Sequence, residues 1–180
     1  MQSEIATVAD AKPLSDLVNA AYRGVGGRRG WTHEAELIAG ERARSSDLAA
    51  MMSGGSTTVL IRRGDHAAAL LGCVAVEMNG ANKCTISMLA VAPELQAAGL
   101  GRSMLADAEQ FAGGNGATIA KITVVQQREA LIAWYERRGY RGTGSHEAFP
   151  YGDDGVGTPL RADLRFVILE KILRRDASER

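Results

Sequence analysis

Apolar residues recur along this chain in two rhythms, and the changes between them mark its elements. Ile5–Val8 is a short apolar run suited to a strand. After Asp10, a residue suited to capping a helix, Leu14, Leu17, Val18 and Tyr22 return every three or four positions, with Pro13 in the first turns. Arg23–Gly30 is glycine-rich and predicts a loop. Trp31–Met52 predicts helix in two pieces, broken near Gly40 and restarting at Ser45. Ser53–Ser56 is a turn and Thr57–Ile61 a strand.

Leu70–Met78 and Cys84–Val91 read as a hairpin around Asn79-Gly80. A two-residue turn there sets Met78 against Ala81, Cys73 against Ile86 and Cys84 against Ala75. Arg102–Ala112 is an amphipathic helix ended by Gly113–Gly116, and Thr118–Val125 is a strand. Arg128–Tyr140 carries Ala130, Leu131, Trp134 and Tyr135 on one helical face, with Gly139 placed to stop the helix. Gly142–Pro159 reads mostly as loop, and Asp163–Leu173 alternates as a closing strand. The order is strand, helices, three strands, helix, strand, helix, two strands.

Composition narrows the classes. The length of 180 residues suits one domain, residues 1–180, with a substantial core. Lys+Arg and Asp+Glu both number 21, so no basic surplus draws the chain to nucleic acid. No apolar run approaches the roughly 18 residues of a membrane span, and the N-terminus lacks a signal segment. No membrane association is expected, and the expected location is cytoplasmic. Cys73 and Cys84 form no Cys-x-x-Cys, and His33, His66 and His146 do not cluster with them. The cysteines read as small core residues, and no metal is expected.

The densest chemistry lies between Met88 and Leu105. An apolar strand runs through Val91, Ala92 and Pro93 into Gln96, Ala97, Ala98, Gly99, Leu100 and Gly101, and a helix follows at once. Glycine removes the Cβ between backbone and ligand, and first-turn amides have no partner within the helix. With the helix dipole, that makes a phosphate cradle. A P-loop would need Gly-Lys-Ser/Thr where Gly101 is followed by Arg102 and Ser103. A dinucleotide loop would need a third glycine at 104 and an acid about 20 residues on, and both are missing.

Gln-x-x-Gly-x-Gly after a strand ending Val-x-Pro resembles the pyrophosphate loop of the GNAT superfamily of N-acetyltransferases. The match is joined by Trp134, Tyr135, Gly139 and Tyr140, similar to that family's Tyr-x-x-x-Gly-Phe/Tyr helix end. The resemblance spans most of residues 4–173. It implies a single-domain α/β fold with a mixed, mostly antiparallel sheet of about seven strands and helices on both faces. The fourth and fifth strands, Cys84–Val91 and Thr118–Val125, would splay apart.

By the same resemblance, Gln96–Ser103 would hold the pyrophosphate of acetyl-CoA, with Arg102 adding charge. The free edge at Leu89 and Val91 would meet the pantetheine, and the Leu89 N–H the acetyl carbonyl. Tyr135 would protonate the departing sulfur; a phenol of pKa about 10 carries its proton at neutral pH. Thr85 stands where some members carry a catalytic Glu. Ser87 through a water, Glu77, Glu34 and Glu36 are the remaining candidates for the base, and Glu77 also reads as a solvent-facing strand end. Arg128 replaces a frequent cofactor-binding Asn and reaches either a phosphate or solvent. Trp31, Glu34, Glu36, Tyr151, Asp153 and Asp154 would line the site for a small-molecule or peptide amine, each of them also readable as core or solvated turn. A homodimer is a further expectation. The competing readings are a non-catalytic acyl-CoA sensor and a nucleotide-binding regulator.

Overall fold

The computed structural model describes residues 3–24, 30–31, 33–64, 69–152 and 157–173. Strands β1 (Glu4–Ile5), β3 (Thr57–Arg63), β4 (Leu70–Asn79), β5 (Lys83–Val91), β6 (Ile119–Val125), β7 (Arg141–Ala148) and β9 (Arg165–Ile172) form one sheet in the order β1-β3-β4-β5-β6-β9-β7. Every neighbouring pair is antiparallel except β5 and β6. Two-residue strands β2 (Ile38–Ala39) and β8 (Thr158–Pro159) pair separately. Helices α1 (Ala11–Arg23) and α2 (Ser45–Ser53) cover one face over Val59, Ile61, Cys73 and Ala75. Helices α3 (Leu100–Gly114) and α4 (Glu129–Glu136) cover the other over Val74, Val76, Ile86 and Ile122.

This is the sheet the family resemblance implies, and periodicity explains its packing. Leu14, Leu17, Val18 and Ala21 bury one stripe of α1, which stops at Gly24, φ 65°. Alternating residues of β4 face opposite layers, Val74 and Val76 toward α3, Cys73 and Ala75 toward α1. Asp10 does not cap α1 with its side chain; it accepts from the Thr7 N–H at 2.8 Å, boxing the 3₁₀ turn Val8–Asp10 instead.

Three expectations are corrected. The β4–β5 hairpin closes through Gly80, Ala81 and Asn82, so Asn79 pairs with Lys83, Met78 with Cys84 and Cys73 with Ala90. A two-residue turn of type I′ would need positive φ at Asn79 as well; only Gly80 takes it, at 73°. Trp31–Met52 is not two helices: among its described residues only the Ser45–Ser53 helix is present, and Ile38–Ala39 pairs with β8. Within Gly142–Pro159, Arg141–Ala148 is strand β7, bonded to β9 through Arg141↔Glu170 and His146↔Val167. Its residues are all exposed, so no apolar alternation marks it; backbone pairing at the sheet edge forms it. Cys73 and Cys84 are buried free thiols, as read from their spacing.

Candidate active site

Strand β5 creates the opening. It pairs with β6 only through Lys83–Thr85 against Ile119–Lys121, and the two then diverge. On its other side the register with β4 slips by one residue between Ser87 and Ala90. Met88 and Leu89 therefore match no residue in either neighbouring strand, and Met88 holds a positive φ of 52°. Positive φ strains a side chain with a Cβ, so this bulge is a constraint held by its surroundings. The Tyr22 hydroxyl donates to the Leu89 carbonyl at 3.1 Å, and the Cys73 thiol to the Met88 carbonyl at 3.5 Å.

At the end of β5 the chain turns through Pro93–Leu95, takes positive φ at Ala97 (74°) and Gly99 (83°), and enters α3. The Ser103 N–H to Gly99 carbonyl bond, 3.1 Å, is the first of the helix. The amides of Leu100, Gly101 and Arg102 thus precede any intrahelical partner and carry the positive end of the dipole. Gly101 sits where a Cβ would lie 3.6 Å from Val91 and 3.9 Å from Trp134, at the floor of this cradle. The Gln96 side chain folds inward, donating to the Val91 carbonyl at 3.1 Å and packing against Gly30, where any Cβ would overlap it.

Two cavities meet at Leu89, Tyr22, Arg128, Leu131 and Tyr135. One, of about 70 Å³, runs along Val91, Gln96, Ala97 and Gly101, with Trp31 and Trp134 as a wall. Their rings are 6.4 Å apart, and Trp134 meets Tyr135 edge-on at 5.0 Å. The second, of about 140 Å³, lies in the fork between β5 and β6, bounded by Ser87, Met88, Thr123, Phe149 and Phe166. Tyr135 is 6% exposed and borders both. Burial pushes its phenol well above the ordinary range, so it stays a proton donor across neutral and moderately alkaline pH. Burial raises Tyr22 too.

The acid expected to greet an amine is otherwise employed. Glu34, 6% exposed, gives one carboxylate oxygen to Arg23 and the other to Arg128, the latter at 3.1 Å. Arg128 is thus drawn onto Glu34 and borders both cavities; its guanidinium lies 5.8 Å from the Tyr22 ring centroid. Arg42 stands 5.5 Å from the same ring. Glu77 is exposed near the hairpin tip, paired with Thr57 and Thr85, and borders neither cavity.

Glu36 is exposed in an outer depression with His33 and Gln127. Trp31, 47% exposed, flanks the loop-side cavity and not the fork. The Tyr151 hydroxyl accepts from the Leu164 N–H at 2.7 Å and donates to the Arg161 carbonyl at 3.0 Å, pinning a loop; Phe149 enters the fork in its place. Asp153 and Asp154 lie outside the described residues. The Ser103 oxygen accepts from Arg62 at 2.7 Å, and Arg102 is exposed beside Arg137 and Arg138.

Sequence reasoning did not single out Tyr22, Arg23, Arg42 or Phe149. Tyr22 was legible only as the last residue of an apolar helical stripe. Nothing in spacing shows that its hydroxyl reaches β5.

The model of the acetyltransferase (GNAT) family matches residues 17–140. A search of curated proteins finds no match. Among solved structures, the chain is similar to the yncA protein of Salmonella typhimurium with its cofactor acetyl-CoA, at 19% identity over 100% of this chain and 98% of that one, TM-score 0.69. The ribosomal-protein-S18-alanine N-acetyltransferase from Escherichia coli matches at 14% identity over 99% of both chains, TM-score 0.68. Nourseothricin acetyltransferase matches at 24% identity over 67% of this chain and 68% of that one, TM-score 0.56. The family model covers well over half the chain and includes the strand bulge, the amide cradle and the tyrosine helix, so the protein belongs to the acetyltransferase (GNAT) family.

Proposed function

We propose that residues 1–180 act as one domain that transfers the acetyl group of acetyl-CoA to a primary amine by direct attack. The observation carrying this is that Tyr135 and the unpaired Leu89 border both the loop-side cavity and the fork. The donor set suits coenzyme A: amides at Leu100, Gly101 and Arg102 for a diphosphate, and the open edge at Leu89 and Val91 for an amide-bearing arm. Gln96, Ala97, Ala98 and Gly99 shape the turn, and Arg102 lies beside it. Acetyl-CoA supplies the thioester, and no metal is required.

Leu89 directs its N–H at the carbonyl oxygen, where donors to developing charge are worth about 10²-fold or more. Tyr135 gives its proton to the sulfur as the C–S bond breaks, while the amine nitrogen forms the new bond to carbon. Ser87, exposed in the fork, orders water to receive the proton that the amine loses. Small-molecule and peptide amines are both within reach of this chemistry, as nourseothricin acetyltransferase and the S18-alanine enzyme illustrate among its structural neighbours.

Thiol release from acetyl-CoA against a panel of amines tests the proposal. Tyr135→Phe should lose turnover while keeping coenzyme A affinity. Tight coenzyme binding without turnover on any amine would favour the sensor instead.

A further inference from the structure

Resting on that reading, we infer that the acceptor carries a carboxylate beside its amine, and that Arg42 is the residue that selects it. Among the described residues, the fork holds one acid, Glu34, and two guanidiniums, Arg42 and Arg128. Glu34 is saturated: Arg23 occupies one oxygen and Arg128 the other. Its single negative charge is therefore shared by two cations, which leaves it a poor partner for an incoming ammonium group. Arg42 has no carboxylate within ion-pair distance among the described residues. Its backbone is fixed by its N–H to Asn19 Oδ1 at 2.6 Å, and its half-buried guanidinium rests 5.5 Å from the Tyr22 ring centroid. A planar fork of donors, held in place and lacking an anion, matches a carboxylate in shape and charge.

The alternative is a cationic acceptor such as a polyamine. It would enter a space where Glu34 is already engaged and the Arg42 guanidinium has no carboxylate partner among the described residues, which disfavours it by like-charge repulsion. The Arg42 charge also helps the chemistry: it disfavours the ammonium form of a bound amine, so the nucleophile is presented neutral without a dedicated carboxylate base. One part of the wall is apolar: Phe149 stacks on Phe166 at 5.4 Å, with Ile38 and Leu131 nearby. The acceptor class is thus a small primary amine with a carboxylate and an apolar side chain, an apolar amino acid being the simplest member.

Matched ligands that differ only in the carboxylate test this. Calorimetry on the coenzyme A-loaded protein compares N-acetyl-L-leucine with N-acetyl-L-leucinamide, alongside thiol-release kinetics with L-leucine, isoamylamine and spermidine. A charge-assisted contact predicts about ten-fold or tighter binding of the carboxylate. Arg42→Gln should reduce that preference to under about three-fold, and Arg42→Lys should keep part of it. Unchanged melting and coenzyme A affinity of both variants show that the fold is intact.

Equal binding of acid and amide, failure of the acid to bind, or a preference untouched in Arg42→Gln overturns the inference. Turnover of spermidine but not leucine overturns it while upholding acetyl transfer. An Arg42-dependent preference for the acid with no turnover on any amine upholds it and removes the transferase reading.

Discussion

Replacing Glu34 by Gln isolates the ionic knot under the fork. The substitution keeps shape and removes one charge, leaving Arg23 and Arg128 buried without their shared counter-ion. Their side chains are only 4% and 9% exposed, so water does little to compensate. Removing one partner of such a buried cluster costs about 3–5 kcal/mol. In a chain of this size each kcal/mol moves the melting midpoint by about 2–4 °C. The product is a drop of about 6–20 °C. The internal control is Asp16→Asn, which breaks the Lys12–Asp16 pair on α1, a contact exposed on both sides. Such a helical surface pair contributes about 0.3–0.5 kcal/mol, or at most about 2 °C. Thermal unfolding followed by circular dichroism reads both variants under identical conditions. A Glu34→Gln shift no larger than that of Asp16→Asn would refute the assignment of this cluster as a buried, mutually dependent unit.

Tyr22→Phe removes the hydrogen bond to the Leu89 carbonyl and should lower kcat by about two- to ten-fold, the worth of one neutral bond; an unchanged kcat counts against Tyr22 as the support of the bulge. Gly99→Val forces a β-branched residue to φ 83° at the helix start and should weaken coenzyme A by about ten-fold, with unaltered affinity by calorimetry as the contrary result. Gly157→Ala places a Cβ 2.5 Å from the Ala39 carbonyl at φ +86°, loosening the β2–β8 ladder beside Ile38. Acceptor KM should rise while coenzyme A affinity holds, and a coordinated loss of both would point to general unfolding. Burial pushes the Cys73 thiol from 9.0 up to about 12. The folded chain holds that proton longer than the unfolded one, so this contribution is intact below about pH 9 and falls by about 1.4 kcal/mol per unit toward pH 12. Ellman's reagent at pH 8 should label neither cysteine until urea is added; rapid labelling of the native protein is the opposing outcome.

The sequence and the structure agree where chemistry and periodicity coincide. Gly99 announces the turn into α3 because its φ of 83° disfavours a Cβ, and Leu14, Leu17 and Val18 announce a buried helical stripe that runs to the partly buried Tyr22. What escaped notice was long-range pairing. Glu34 reads as an available acid until Arg23 and Arg128, 94 positions away in the second case, close on it. The two-residue turn failed because Asn79 offers the right residue type but not the positive φ such a turn needs. Strand β7 escaped because an exposed edge strand has no buried face to leave its rhythm in the sequence. Phe149, rather than Tyr151, reaches the fork because the Tyr151 hydroxyl is held by Leu164 and Arg161.

The one-residue slip at Met88 and Leu89 sets durability against activity. Excising a single amino acid there would let the ladder between β4 and β5 run without interruption and relieve a backbone posture that costs about 1–3 kcal/mol. On the role proposed for the Leu89 amide, the shortened polypeptide would be sturdier and inert. Under that proposal, selection for robustness alone would erase the irregularity, and acetyl transfer is what keeps it in the main chain.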